Sequence, residues 1–193
     1  METKRFASGS DYQITCRGQI FAVHKVVLTI NSETFATMFA SGFMESRLDM
    51  HAIDLSEDDP DVLHSMLEYF YTGEYAVCAP DKWMTFHAEV LMIADKYQCV
   101  RPNGLVDRAS RLLSEGLKSN QWSNDDFAGM ARLVDQVAIA EELTKAAVTE
   151  LMERSSRSPE LLDDPNVRNL LLDLPDWNIN LLKCMARAVA SGR

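Results

Sequence analysis

The residues best suited to bond-making chemistry are four histidines, His24, His51, His64 and His87, and four cysteines, Cys16, Cys78, Cys99 and Cys184. Their spacing argues against shared work. No H-E-x-x-H or H-x-x-x-H pair sets two imidazoles on one helical turn around zinc, and no C-x-x-C pair is present to grip a metal or run redox exchange. Gly116-Leu117-Lys118 lacks the upstream glycine of a phosphate-cradling loop, and no G-x-S-x-G elbow presents a nucleophilic serine. The expectation is a protein with no catalytic residue, no metal and no cofactor. Phe43-Met44-Glu45 offers a different chemistry. An apolar side chain on an exposed loop can fill a partner's pocket while a neighbouring carboxylate fixes register. The alternative is that Phe43 folds into the protein's own core and Glu45 is simply solvated.

The bulk properties narrow the partners. The formal charge is −10 over 193 residues. Residues 1–100 hold 7 Lys/Arg against 15 Asp/Glu, and residues 101–193 hold 12 against 14. An acidic surface repels phosphate backbones and anionic headgroups, so neither direct nucleic-acid binding nor membrane binding is expected. The first residues, METKRFASGS, lack the apolar stretch of a secretory signal, and no run reaches the roughly 18 apolar residues of a membrane helix. Free thiols in a reducing compartment, cytoplasm or nucleus, are expected.

The elements that must position these residues read as α+β in front and helical behind. Tyr12–Cys16 and Gln19–Val23 read as strands joined by a turn at Arg17-Gly18. His24–Ile30 reads as a short helix, Ser32 as the cap of another that Gly42 stops, and Ala52–Leu55 as a strand. Asp59 and Pro60 begin the clearest helix. Its apolar face is Val62, Leu63, Met66, Leu67, Phe70 and Tyr71, and Thr72-Gly73 ends it. Tyr75–Val77 reads as a small strand, and Pro80-Asp81 opens a helix through Lys96. Beyond residue 100 the expected helices are Pro102–Gly116, Asn124–Gln136, Glu141–Arg154, Asn166–Leu172 and Asp176–Ala190. Ser123 with Asp126 signals a helix start, and Leu117–Trp122 and Ser155–Ser158 read as flexible joints. The methionines Met38, Met44, Met50, Met66, Met84 and Met92 fall at helical spacing, which favours core packing over an adaptable groove.

Six segments, in order, resemble the BTB/POZ family. They are Ser10-Asp11; Phe21-Ala22-Val23-His24-Lys25 with Leu28; Ser32, Phe35, Met38 and Phe39; Phe43-Met44-Glu45-Ser46; Tyr69 with Tyr71-Thr72-Gly73-Glu74-Tyr75; and Ala94-Asp95-Lys96-Tyr97. The resemblance implies a small sheet capped by a helical cluster over residues 8–100, with residues 101–193 as a helical extension. The tail is similar, more loosely, to that of short fungal proteins carrying a single BTB domain. The resemblance also implies a role in protein–protein interaction. Phe43-Met44-Glu45 looks like the hydrophobic-x-Glu motif of BTB adaptors of cullin-3 ubiquitin ligases. Met38 and Phe39 join it as candidate partner-binding residues, and the helices expected after residue 101 stand where such adaptors carry a helix pair. The other reading is a self-associating scaffold or transcriptional-regulator type with no ligase role.

Asp11 and Lys25 match charged positions near the family's dimer interface. A local salt bridge, unpaired surface groups and a structural role are all open for them. For His24 a structural hydrogen-bonded position at a strand–helix junction is expected rather than a catalytic base. Long-form members have a helix and a strand before the Ser-Asp segment, exchanged between subunits. Only nine residues precede Ser10 and none makes a useful helix, so a homodimer, if formed, is expected to lack the swapped element.

Overall fold

The computed structural model describes residues 3–6, 8–40, 51–77, 79–99, 104–119, 122–137 and 140–190. They fall into two compact units, Met1–Cys78 with Val90–Arg108, and Ala79–Glu89 with Ala109–Arg193.

In the first unit, Arg17 and Gly18 both take positive φ, 43° and 86°. Two consecutive left-handed residues make the two-residue hairpin whose twist matches its strands. The hairpin joins β2 (Tyr12–Cys16) to β3 (Gln19–Val23), with Cys16 opposite Gln19 and Tyr12 opposite Val23. Glycine adopts this conformation freely, whereas at Arg17 it costs about 1–2 kcal/mol. Contacts to a later loop offset that cost. The Arg17 N–H donates to Ser56 Oγ at 3.2 Å, and its guanidinium donates to the Ser56 and Glu57 carbonyls at 3.2 and 3.3 Å.

Strict alternation in β2 buries Tyr12, Ile14 and Cys16 on one face. Strand β4 (Ala52–Asp54) pairs parallel with β2, and β1 (Thr3–Arg5) pairs parallel with β3, giving the order β1-β3-β2-β4. The stretch before Ser10 thus holds an edge strand of this chain's own sheet, which sequence pattern did not reveal. Helices α1 (Lys25–Asn31), α2 (Glu33–Ala40) and α3 (Pro60–Thr72) supply Leu28, Phe35, Leu63, Met66 and Leu67 to the core. Asp59 caps α3 through the N–H groups of Asp61 and Val62, and Gly73 at φ 77° ends it. Tyr75–Val77, expected as a strand, is irregular. Its Ala76 N–H donates to the Glu68 carboxylate at 3.0 Å instead of to a neighbouring strand.

The second unit is helical. A 3-10 turn at Pro80–Lys82 leads into α4 (Trp83–Lys96), whose residues to Glu89 belong here and whose residues from Val90 belong to the first unit. Then follow α5 (Leu105–Ser119), α6 (Asn124–Val134), α7 (Glu141–Arg157), α8 (Pro165–Asp173) and α9 (Pro175–Ala190). The expected joint at Ser155 is instead helix. The Ser155 and Ser156 hydroxyls bond back to the Met152 carbonyl, and the chain stays wound to Arg157. The Leu117–Trp122 stretch is likewise helical as far as Ser119.

Asp126 locks this unit. It is 1% exposed, and its carboxylate accepts from the N–H groups of Met84 and Thr85 at 3.1 and 2.8 Å and from Thr85 Oγ1 at 2.7 Å. A side chain on α6 therefore caps the start of α4, satisfying donors that a helix leaves open. A Cβ on Gly129 would sit 2.5 Å from Thr85 Oγ1, so the close approach requires glycine there. Asp126→Ala is expected to destabilise the protein by about 3 kcal/mol, because it leaves buried donors without an acceptor. Asp126→Asn, keeping one acceptor, should lose roughly half as much. Urea unfolding of both variants checks this, and equal midpoints for the wild type and Asp126→Ala would refute it.

Candidate functional site

Strand β3 passes into α1 through the single residue His24, which holds extended φ and ψ of −111° and 126°. The first donors of α1 need acceptors, and side chains distant in sequence provide them. Asp11 accepts from the Lys25 N–H at 2.8 Å, and Tyr71 Oη, from α3, accepts from the His24 N–H at 2.8 Å. The His24 ring lies with Nδ1 2.9 Å from Tyr71 Oη and Nε2 3.2 Å from the Ser8 carbonyl. One arrangement satisfies all three contacts: Nε2–H donates to Ser8, and the Tyr71 hydroxyl donates to Nδ1. Burial raises the Tyr71 pKa, partly countered by the His24 hydrogen bond, so the phenol keeps its proton. Phe6 stacks on Tyr71 at 5.1 Å.

Beside this junction Lys25 Nζ lies 4.9 Å from the Tyr12 ring centroid and 5.5 Å from that of Phe39. The two rings meet edge to face at 5.1 Å. A lysine over two aromatic faces is held by ring quadrupoles as well as by its stem. Phe39 is half-buried and also lies near Phe35, which stacks on Tyr97 at 5.0 Å. Met38 is half-buried on the same helix. The structure thus brings Asp11, Lys25 and Phe39 to one corner, with His24 adjoining. Phe43, Met44 and Glu45, with Met50, lie outside the described residues. The outer face of α1 shows Val26 and Ile30, one turn apart and 59% and 49% exposed.

Titratable groups elsewhere in this unit are engaged with one another. Asp58 accepts from Lys96 Nζ and from Tyr97 Oη, both at 2.6 Å, and burial, then the Asp58 hydrogen bond, push the Tyr97 pKa upward. Sequence reading missed this trio, because its members stand 38 and 39 residues apart and none belongs to a recognisable pattern. Among the described residues no group of three or more His, Cys, Asp and Glu side chains is placed to hold a metal. No described helix is long and apolar enough to cross a membrane.

The buried thiols are similarly quiet. Burial is the main cause of the raised Cys16 pKa and pushes Cys99 up to about 12. A raised thiol pKa favours the neutral form, so neither is a nucleophile at neutral pH. Cys184 on α9 is partly exposed. In the native protein, N-ethylmaleimide is expected to label Cys184 while Cys16 and Cys99 stay unlabelled until denaturant is added. Raising the pH from about 7 to 9 should not expose Cys99, whose folded pKa stands above that range. Peptide mapping by mass spectrometry reads the result, and native labelling of Cys99 would contradict the burial described.

Comparison with known proteins follows this geometry. A family profile described as the BTB/POZ domain matches residues 2–112. A Kelch-like protein 40 of Xenopus laevis is 37% identical over 67 residues, 35% of this chain and 11% of that relative. The Xenopus tropicalis protein of the same name is 36% identical over 67 residues, with the same coverage. BTB/POZ domain-containing protein At2g30600 of Arabidopsis thaliana is 27% identical over 139 residues, 70% of this chain and 15% of that relative. The matches therefore span about a seventh or less of these relatives' own length.

Proposed function

This chain belongs to the BTB/POZ domain family, whose members are protein-interaction domains, and from that premise we propose that it is a substrate adaptor for a cullin-3 ubiquitin ligase. The four-stranded sheet with its helical cluster and the helical C-terminal region fit the α+β fold of the family. In this reading residues 8–100 are the interaction domain and residues 101–193 a helical extension that presents the substrate. The protein works by binding rather than catalysis, in the cytoplasm or nucleus, where its cysteines stay reduced.

The observation that carries the cullin reading is Phe43-Met44-Glu45, which follows α2 in the order of the adaptors' hydrophobic-x-Glu motif. An apolar anchor beside a carboxylate gives a partner both a pocket filler and a charge to set register. Met38 and Phe39 at the end of α2 extend the surface, with Phe39 held by Tyr12. Phe43→Ala combined with Glu45→Ala should cut capture of cullin-3 by about tenfold, with the melting temperature changed by no more than about 4 °C. Failure of the wild-type chain to capture any cullin would end this reading.

A second reading, self-association, is favoured by Val26 and Ile30. Two large apolar side chains exposed one turn apart form a stripe that an isologous contact would cover. Light scattering at micromolar concentration should show a mass that rises with concentration, and Val26→Glu with Ile30→Glu should hold it at the monomer value. A dimer mass independent of both concentration and these substitutions would refute it.

A further inference from the structure

Helices α7 and α9 border a groove of about 400 Å3 in the second unit. Its α9 wall carries Lys183 and Arg187, four residues apart, and its α7 wall carries Lys145 and, one turn on, Thr149. Val148 supplies an apolar lining, Asn180 a neutral amide and Cys184 a thiol. No Asp or Glu lines it. Lys145 pairs with Glu141 and Glu142 at 2.9 and 2.8 Å. Those glutamates are 76% and 89% exposed, so water screens both pairs. Lys183 and Arg187 are exposed and make no ion pair among the described residues. Residues 101–193 hold 12 Lys/Arg against 14 Asp/Glu, so Lys183 and Arg187 beside a lining without carboxylates are a local excess of positive charge.

We propose that this groove is a docking site for a short carboxylate-rich segment of a partner protein. It goes beyond the cullin reading, because it is built wholly from residues of the helical unit and requires no cullin. The spacing favours a chain of carboxylates over a single phosphate. Cations four residues apart on a helix stand about 6 Å apart. Side chains on one face of an extended peptide repeat at roughly 6.6 Å. From Asn180 to Arg187 the α9 wall runs roughly 10 Å, the length of about three extended residues. Arg187 can take a carboxylate through two parallel N–H bonds, and the lysines act as point charges beside it.

The test uses the full chain and a fluorescein-labelled peptide of about six Asp and Glu residues, read by fluorescence anisotropy. Lys183→Glu with Arg187→Glu is expected to weaken binding about tenfold. Arg111→Glu with Arg168→Glu imposes the same change of net charge at exposed positions on α5 and α8 and should leave affinity within about twofold. Affinity should fall as salt rises from roughly 50 to 300 mM. On the wild type, where no substitution can disturb folding, the peptide should slow N-ethylmaleimide labelling of Cys184. Absent binding at low salt, equal loss in both double variants, or unchanged Cys184 labelling under saturating peptide would each overturn the proposal. Tighter binding of an equally charged phosphopeptide would overturn the carboxylate assignment.

Discussion

A strand that becomes a helix within one residue leaves the helix's first N–H groups open, and the first unit is organised around closing them. Val23 ends β3 and Lys25 begins α1. The acceptors come from opposite directions along the chain. Asp11 reaches forward from the start of β2, and Tyr71 reaches back from α3, 47 residues later. Each bond is worth only about 1 kcal/mol net, but a buried donor left open costs about 1–3. The junction therefore ties α3 and the β2 end of the sheet to one position of α1. Lys25, placed by that same bond, brings its ammonium over Tyr12 and Phe39 and so links the sheet to α2. Both helices that bear the candidate binding residues take their positions from this turn.

The groups with the most chemical potential are used as structure. Tyr97 and Lys96 converge on Asp58, a contact that holds the end of α4 to the loop before α3. Ser32 caps α2 by accepting from the Phe35 N–H and donates its own proton to the Tyr97 carbonyl. Gln98 at φ 52° then closes α4, with the Cys99 N–H bonded to the Ala94 carbonyl and the Gln98 N–H to that of Asp95. That double bond is the usual left-handed helix stop, made here without glycine. These polar atoms are engaged with one another across segments distant in sequence. What they provide is a set of contacts that joins α2, the end of α4 and the loop before α3.

Legibility followed the range of the interactions. Tyr12–Cys16 and Gln19–Val23 were readable to the residue, because alternation and the Arg17-Gly18 turn are local. Helix α3 was readable because Asp59, Pro60 and Gly73 mark both its ends. Thr3–Arg5 was not, since three residues with two basic side chains carry no apolar period, and charge is what an edge strand tolerates. Tyr75–Val77 has strand propensity but loses its backbone donor to Glu68, a competition invisible in a window of three residues. Asp126 reads as a local cap beside Ser123, and only the fold shows that its carboxylate turns to α4. In the candidate site, His24, Asp11 and Lys25 stand out by type and order, whereas Tyr71 as their partner does not. Proximity between residues 47 apart is a product of folding rather than of pattern.

Net charge and local charge lead to different partners, and the screening length decides between them. At physiological salt a fixed charge is felt over about 8 Å. A long polyanion spans many such lengths and so meets the chain's net charge of −10, which opposes its approach. A segment of about three residues fits within one or two screening lengths, and in the proposed groove the cations it meets are Lys183, Arg187 and Lys145, the last already paired with Glu141 and Glu142. Residues 101–193 hold 12 Lys/Arg against 14 Asp/Glu, so in the proposed docking a short anionic segment meets less opposing charge there than over residues 1–100, with 7 against 15.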